Sequence, residues 1–122
     1  MIQETIKINN VEYVKKDSLQ EQQVFNTDGL PYMMVRTYSA GVFAGFVKNR
    51  NGQEVELLDA RRIWYWDGAA SLSQLAMEGT KSPQNCKFPM PVNSIILTQV
   101  IELIPITEKA KKSIDGVSIW KR

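Results

Sequence analysis

The chain has no histidine and only one cysteine among its 122 residues. Histidine is the commonest general base and the commonest metal ligand, so its absence removes many kinds of enzyme. A lone Cys86 excludes a disulfide within the chain, and without a histidine to activate it we do not interpret its thiol as a nucleophile. No spacing of Asp, Glu and Cys resembles a metal site. We therefore expect a protein that binds without catalysis and uses no cofactor or metal.

A large excess of charge and a long apolar run are also missing. The formal net charge is only +2, whereas proteins that bind long nucleic acids concentrate many Lys and Arg on one face. The sequence shows no secretory leader and no run of about 20 apolar residues, the length that a transmembrane helix needs. We expect no long nucleic acid partner, no membrane contact and a cytoplasmic location.

The sequence divides into an N-terminal part, residues 1–30, and a main domain, residues 31–122. In the first part, residues 5–15 carry apolar side chains around Asn9-Asn10, a pair that favours a tight turn. This pattern predicts a β hairpin. The polar stretch that follows it, up to Asp28-Gly29, is typical of a linker or of a short exposed helix.

The main domain is predicted to have an α+β fold. We expect a small, mainly antiparallel sheet in ββαβα order with two short helices, preceded by the N-terminal hairpin. Gly41 and Gly45 stand where a bulge or bend is tolerated, and Ser71 and Thr107 are typical helix caps. The apolar segment 93–105 reads as a central strand. In chain order the elements are a strand over 32–50, a return strand over 53–66 after an Asn-Gly turn, a helix over 70–79, a strand over 93–105 and a helix over 107–114.

The stretch RRIWYWDG, residues 61–68, is the strongest candidate for a binding site. Aromatic faces stack nucleobases at about 1–3 kcal/mol each, and arginine pairs with phosphate. If the strand continues without a bulge, Arg62, Trp64 and Trp66 share one face. Core packing is the competing interpretation, because tryptophan and tyrosine are also ordinary core residues. The predicted ligand-binding residues are Arg61, Arg62, Trp64, Trp66, and, on the neighbouring strand, Arg36 and Tyr38.

Two motifs carry a resemblance to a known family. RTYSAG at residues 36–41 and ARRIWYWDGA at residues 60–69 resemble a family of small bacteriophage and prophage domains of formerly unknown function, with the match covering about residues 32–120. These domains are similar to phage proteins that sequester the cyclic nucleotide signals of bacterial antiphage defence. The resemblance implies an anti-defence protein of the host cell cytoplasm. It implies binding of a cyclic oligonucleotide, of the cyclic dinucleotide type, without cleavage, by a homo-oligomer for which a tetramer is favoured.

The large aromatic side chains also favour self-association, because there are more of them than one small sheet with two helices can cover. A second class of function therefore stays open, a module that binds a virion or host-factor protein without a small-molecule ligand. Trp, Tyr and Arg are enriched at the hot spots of such interfaces. An enzyme that acts on nucleotides is the third choice. The rings in question are Tyr38, Phe43, Phe46, Trp64, Tyr65, Trp66 and Phe88.

Overall fold

The computed structural model describes residues 22–121, which form a small α+β fold with a five-stranded antiparallel sheet and two helices. The hairpin predicted for residues 5–15 lies outside the described residues. None of the helices within residues 22–121 is long and apolar enough to cross a membrane. The strands are β1 (Tyr32–Thr37), β2 (Val42–Asn51), β3 (Glu54–Arg62), β4 (Val92–Leu97) and β5 (Val100–Pro105), and the helices are α1 (Leu72–Glu78) and α2 (Glu108–Asp115), with a single 3-10 turn at Pro83–Asn85.

The element order differs from the predicted ββαβα because two of the predicted strands are each two strands. Segment 32–50 turns back at residues 38–41 and so supplies both β1 and β2. The Thr37 hydroxyl closes this turn: it donates to the Gly41 carbonyl and accepts from the Ala40 N–H, both at 2.8 Å. Gly41 has a φ of +99°, which a residue with a side chain rarely adopts. The chain order is therefore βββαββα.

The predicted central strand over 93–105 is also two strands, and they lie at the two edges of the sheet. The strand order is β4-β3-β2-β1-β5, yet only two residues separate Leu97 from Val100. Three residue steps span at most about 11 Å. The edges of a flat five-stranded sheet lie roughly 19 Å apart. The sheet must therefore curl until its edges approach each other, and the Val100 N–H bonds to the Gln53 carbonyl at 2.9 Å.

Each face of the curled sheet has its own hydrophobic core. Successive residues of β1 point to opposite faces, so Met34 enters one core and Val35 the other. The helix-side core lies between the sheet and the helices, and the inner core fills the other face. Buried members of the helix-side core include Phe46, Ile63, Leu75, Phe88, Ile106 and Ile114. The buried members of the inner core are Val35, Phe43, Val55, Leu57, Ala60, Leu97 and Val100.

A β-bulge in β3 sets where the two arginines point. Phe46 pairs with Leu58 and Ala44 pairs with Arg61, so β3 uses one more residue than β2 over this stretch. Asp59 takes up the extra residue with a φ of 50°, a conformation that aspartate tolerates better than most residues. Gly45 lies opposite, where a Cβ would come within 3.1 Å of the Leu58 carbonyl. Beyond the bulge, Arg61 faces the helix-side core.

Candidate functional site

The segment Arg61 to Trp66 leaves the sheet soon after it begins. Strand β3 ends at Arg62, and Ile63 is buried in the helix-side core. Trp64 is 63% exposed, whereas Trp66 is partly buried against the helix-side core. The expectation that residues 62, 64 and 66 share a strand face is therefore wrong, because the strand does not continue that far. Tyr65, between the two tryptophans, is about half exposed. The three large rings of the segment therefore have different environments.

Arg61 is a buried structural cation. Its guanidinium donates to the carbonyls of Ile114 at 2.9 Å and Val117 at 2.8 Å, beside the C-terminal end of α2. It also donates to the carbonyls of Phe88 and Pro89 at 3.3 and 3.4 Å, and it lies 5.4 Å from the Phe88 ring centroid. Burial lowers the pKa of Arg61, but a guanidinium remains charged in proteins. The side chain stabilises the end of α2, whose last carbonyls have no partner within the helix.

Arg62 points to the opposite face and is half-buried. Its guanidinium lies 4.4 Å from the Phe43 ring centroid and donates to the Ala40 carbonyl at 2.6 Å. It therefore holds the β1–β2 turn against the inner core. A guanidinium has five N–H donors, and within residues 22–121 the bond to Ala40 uses one of those of Arg62.

The remaining predicted pair lies at the same end of the sheet. Arg36 forms an ion pair with Glu102 on β5, with Nε 2.8 Å from Oε1, and both side chains are half exposed. Tyr38 follows β1, and its side chain is 77% exposed. Arg36 pairs with Val42 in the sheet, whereas Arg62 pairs with the next residue, Phe43, so the two arginines lie on opposite faces. The six predicted residues thus do not form one surface, and their ligand role stays a prediction.

The structure places a different cation beside exposed rings. Tyr65 and Lys87 exchange two backbone hydrogen bonds of 3.2 and 2.8 Å, which puts their side chains on the same side. The Lys87 ammonium lies 5.9 Å from the Tyr65 ring centroid and 5.7 Å from that of Trp120. The backbone N–H of Trp120 donates to the Phe88 carbonyl at 2.9 Å and holds the residue there. We call Tyr65, Lys87 and Trp120 the Lys87 surface.

The local chain direction explains why Lys87 faces solvent. Its neighbour Phe88 is fully buried in the helix-side core, where Arg61 covers its ring, so extended backbone turns Lys87 outward. None of the three ion pairs found within residues 22–121 includes Lys87, and its ammonium makes no hydrogen bond to that part of the chain. An ammonium has three N–H donors. Those of Lys87 have no acceptor within residues 22–121.

A groove of about 520 Å³ adjoins the Lys87 surface at Trp120. Cys86 contributes to its wall, but its sulfur lies 3.5–3.6 Å from the oxygens of Asp67, Thr80 and Ser82 and is buried. The thiol therefore packs within the loop. The full lining is Pro83, Gln84, Cys86, Gly116, Ser118, Ile119 and Trp120.

The sequence signal for the Lys87 surface is weak. Tyr65 stands in the stretch that sequence reasoning singled out, but Lys87 and Trp120 are far from it along the chain. Lys87 stands between Cys86 and Phe88, and this apolar–charged–apolar alternation is the one local sign that Lys87 faces outward. Within residues 22–121 no group of three or more Cys, Asp and Glu side chains lies close enough together to hold a metal ion.

Comparison with known proteins gives a family but no described function. No curated protein and no solved structure matches the chain. One family model matches residues 30–114, a range that contains Tyr65 and Lys87 and ends before Trp120. Because this range is most of the sequence, the chain belongs to the family described as a domain of unknown function (DUF6948).

Proposed function

We propose that the protein binds a cyclic oligonucleotide of the cyclic dinucleotide type on the Lys87 surface and holds it without cleaving it. The observation that carries this proposal is the Lys87 ammonium, which has no ion-pair partner within residues 22–121 and lies beside two partly exposed rings. Stacking on an aromatic ring contributes about 1–3 kcal/mol per base. The ammonium supplies the positive charge that a phosphate needs.

The dimensions of the Lys87 surface suit one base–phosphate unit. Because the ammonium lies within 6 Å of both ring centroids, a phosphate bound to Lys87 keeps its attached base within reach of Tyr65 or Trp120. The adjoining groove adds room beside Trp120. A cyclic dinucleotide has two such units, so two copies of the surface in a homo-oligomer match its symmetry. A tetramer is the assembly that the sequence resemblance favours.

The groups that the Lys87 surface offers support the proposal that the ligand is held without cleavage. Hydrolysis of a phosphodiester needs a positioned general base or an activated water. The Lys87 surface offers a phenol, an ammonium and an indole. Asp67, in the loop beside Cys86, accepts hydrogen bonds on both carboxylate oxygens, from Gly68 and Asn85. Binding without turnover is the behaviour implied by the resemblance to phage proteins that sequester the cyclic nucleotides of antiphage defence in the host cytoplasm.

Calorimetric titration of the full chain with a panel of cyclic di- and trinucleotides tests the proposal. Lys87→Gln should weaken binding by roughly tenfold, because it removes a charged hydrogen bond. Lys112→Gln is the matched control, since Lys112 is exposed on α2. Its ammonium forms only a long ion pair, with Nζ 3.9 Å from the Glu108 Oε2. Chromatography of the recovered ligand should show the intact ring. Equal affinity of both variants, or a linear product that grows with protein concentration, would contradict the proposal.

A protein-binding module remains the second candidate, and the β4 edge favours it. Ile96 is 59% exposed on this edge strand, and Val92 is also exposed. Exposed apolar edge strands are ready templates for pairing with another chain. If no cyclic nucleotide binds the parent chain while Ile96→Lys abolishes its self-association in light scattering, the edge rather than the Lys87 surface is the functional feature.

A further inference from the structure

The two edge strands of the sheet differ in how well they are protected from pairing with another chain. Within residues 22–121, β4 and β5 are the two ends of the strand order. Natural proteins block edge strands with charged side chains, proline or a bulge. Strand β5 has all three features, namely Glu102, Pro105 and a register shift against β1. Strand β4, with the sequence VNSIIL, contains no charged residue and no proline. Of the two edges, β4 is therefore the one that can accept another strand.

The exposed apolar side chains of β4 are arranged symmetrically about Ser94. Val92 is 46% exposed and Ile96 is 59% exposed, and each stands two residues from Ser94. Strand β4 pairs with β3 without a register shift, so its side chains alternate and these three share one face. Ile119, which is 44% exposed, lines the same cavity as Val92 and extends the apolar surface beyond the strand. The apolar pattern of β4 is thus the same in both chain directions.

This symmetry suits an antiparallel pair of β4 strands from two copies of the chain. With Ser94 opposite Ser94 of the second copy, Val92 lies opposite Ile96 of the second copy, and the two-fold axis repeats this pair. Side chains directly opposite each other are in contact, so both Val–Ile pairs lose exposed apolar surface. A two-fold register centred on Asn93 puts Val92 opposite Ser94 instead, and one centred on Ile95 puts Ile96 there. The register centred on Ser94 therefore buries the most apolar surface.

Pairing of β4 with β5 of another copy is the alternative contact, and the β5 edge disfavours it. The Val100 N–H at the start of β5 already donates to the Gln53 carbonyl at 2.9 Å. Glu102 lies in the middle of β5, and its carboxylate is held by Arg36 at 2.8 Å. A head-to-tail contact also continues from copy to copy, whereas a two-fold β4 pair is closed after two chains.

We infer that β4 is the interface of a two-fold homodimer, formed as an antiparallel strand pair centred on Ser94. This contact supplies one interface of the homo-oligomer in the proposed function, and it needs no bound nucleotide. Pro91, just before β4, lies opposite Leu97 of the second copy and has no N–H, so the ladder between the copies ends there. The ladder comprises residues 92–96, a length of about 17 Å. Such a short contact is typical of association that depends on protein concentration.

Light scattering of the full chain without nucleotide, over a range of concentrations, tests the interface. It should report a dimer, or a tetramer built from two such dimers. Ile96→Lys should halve this mass, because the substituted position occurs twice in each two-fold contact and puts an ammonium opposite Val92. Ile101→Lys is the matched control, since Ile101 is 47% exposed on the other edge strand, and it should keep the parent mass. Circular dichroism should show that both variants are folded.

Ser94→Cys tests the register. In the inferred pair the two substituted positions have Cα atoms about 4.5–5.5 Å apart, which is within the range of a disulfide. Mild oxidation should therefore link two copies into a covalent dimer on non-reducing electrophoresis. Val92→Cys is the control at another exposed position of β4, because its two copies are roughly 14 Å apart along the strand and should not link. The parent chain should not link either, since Cys86 is buried.

The inference is overturned if the full chain stays monomeric up to about 1 mM, or if Ile96→Lys keeps the parent mass. It is also overturned if Ile101→Lys dissociates the assembly as Ile96→Lys does, since the contact is then head-to-tail. A Ser94→Cys variant that does not link, or that links no better than Val92→Cys, would exclude the register. Lys87→Gln should weaken nucleotide binding without changing the mass, so failure of the nucleotide site and failure of this interface are distinguishable.

Discussion

Arg61 and Lys87 are both cations beside aromatic rings, and the residue Phe88 links their two environments. Arg61 lies over the Phe88 ring on the inside, is 7% exposed and donates to four carbonyls. Lys87, the neighbour of Phe88 in the chain, lies outside near Tyr65 and Trp120 and has no hydrogen-bond partner in the described range. What distinguishes a structural cation from one available to a ligand is therefore the number of protein acceptors around it, and not its nearness to a ring.

The largest expected effect is on stability and comes from Arg61→Met. This change removes all four hydrogen bonds that the guanidinium donates. The Val117 carbonyl then loses the partner it has within residues 22–121, whereas the carbonyls of Phe88 and Ile114 keep the backbone N–H groups of Trp120 and Val117. We expect the free energy of unfolding to fall by about 3 kcal/mol or more. Urea denaturation followed by circular dichroism measures it. Arg61→Lys should rescue little, because an ammonium lacks the planar fork of donors. If Arg61→Met lowers the free energy of unfolding by less than about 1 kcal/mol, Arg61 is not a structural cation.

The role of Arg61 shows where sequence reasoning ends. The fold class follows from local patterns, and the predicted caps are confirmed: Ser71 accepts from the Gln74 N–H and Thr107 from the Ala110 N–H, both at 3.1 Å. The acceptors of Arg61 include the Ile114 carbonyl, 53 residues away. No periodicity in the sequence reports such a contact. RRIWYW therefore indicates cations and rings but not which of them face solvent.

The predicted number of strands was wrong for a related physical reason. Segments 32–50 and 93–105 have the composition of strands throughout, and composition does not mark where a strand turns. The turn at 38–41 depends on the Thr37 hydroxyl, and the separation of β4 from β5 depends on the curl of the whole sheet. The Lys87 surface was missed because two isolated bridges, Tyr65–Lys87 and Phe88–Ile119, assemble it from three separate segments.

The next expected effect appears at alkaline pH and concerns Tyr32. Burial raises the pKa of Tyr32 above its unfolded value of about 10. The folded state therefore holds this proton more tightly, and the resulting stability is present below pH 10 and is lost as the pH rises further. Tyr32→Phe should stay folded to a higher pH than the parent chain in a circular dichroism titration. If Tyr32→Phe and the parent chain unfold at the same alkaline pH, burial does not raise the pKa of the Tyr32 phenol.

Arg62→Ala should have a smaller effect than Arg61→Met. Arg62 is half-buried and, within residues 22–121, makes one hydrogen bond, to the Ala40 carbonyl, besides its contact with the Phe43 ring. Loss of these contacts should cost about 1 kcal/mol in urea denaturation. Affinity for a ligand on the Lys87 surface should stay at the parent value. If affinity falls while the variant remains folded, the sequence-based assignment of Arg62 to the ligand site gains direct support.

The smallest expected effect on stability is that of Lys87→Gln, and it completes the comparison with Arg61. Lys87 makes no hydrogen bond or ion pair within residues 22–121, and its contacts with two rings at nearly 6 Å are weak at an exposed site. The free energy of unfolding should change by less than about 0.5 kcal/mol. The same variant should lose roughly tenfold in affinity for a bound cyclic nucleotide. Urea denaturation and calorimetric titration on one preparation measure both quantities. A large loss of stability with unchanged affinity would reverse the assignment and make Lys87 a structural cation like Arg61.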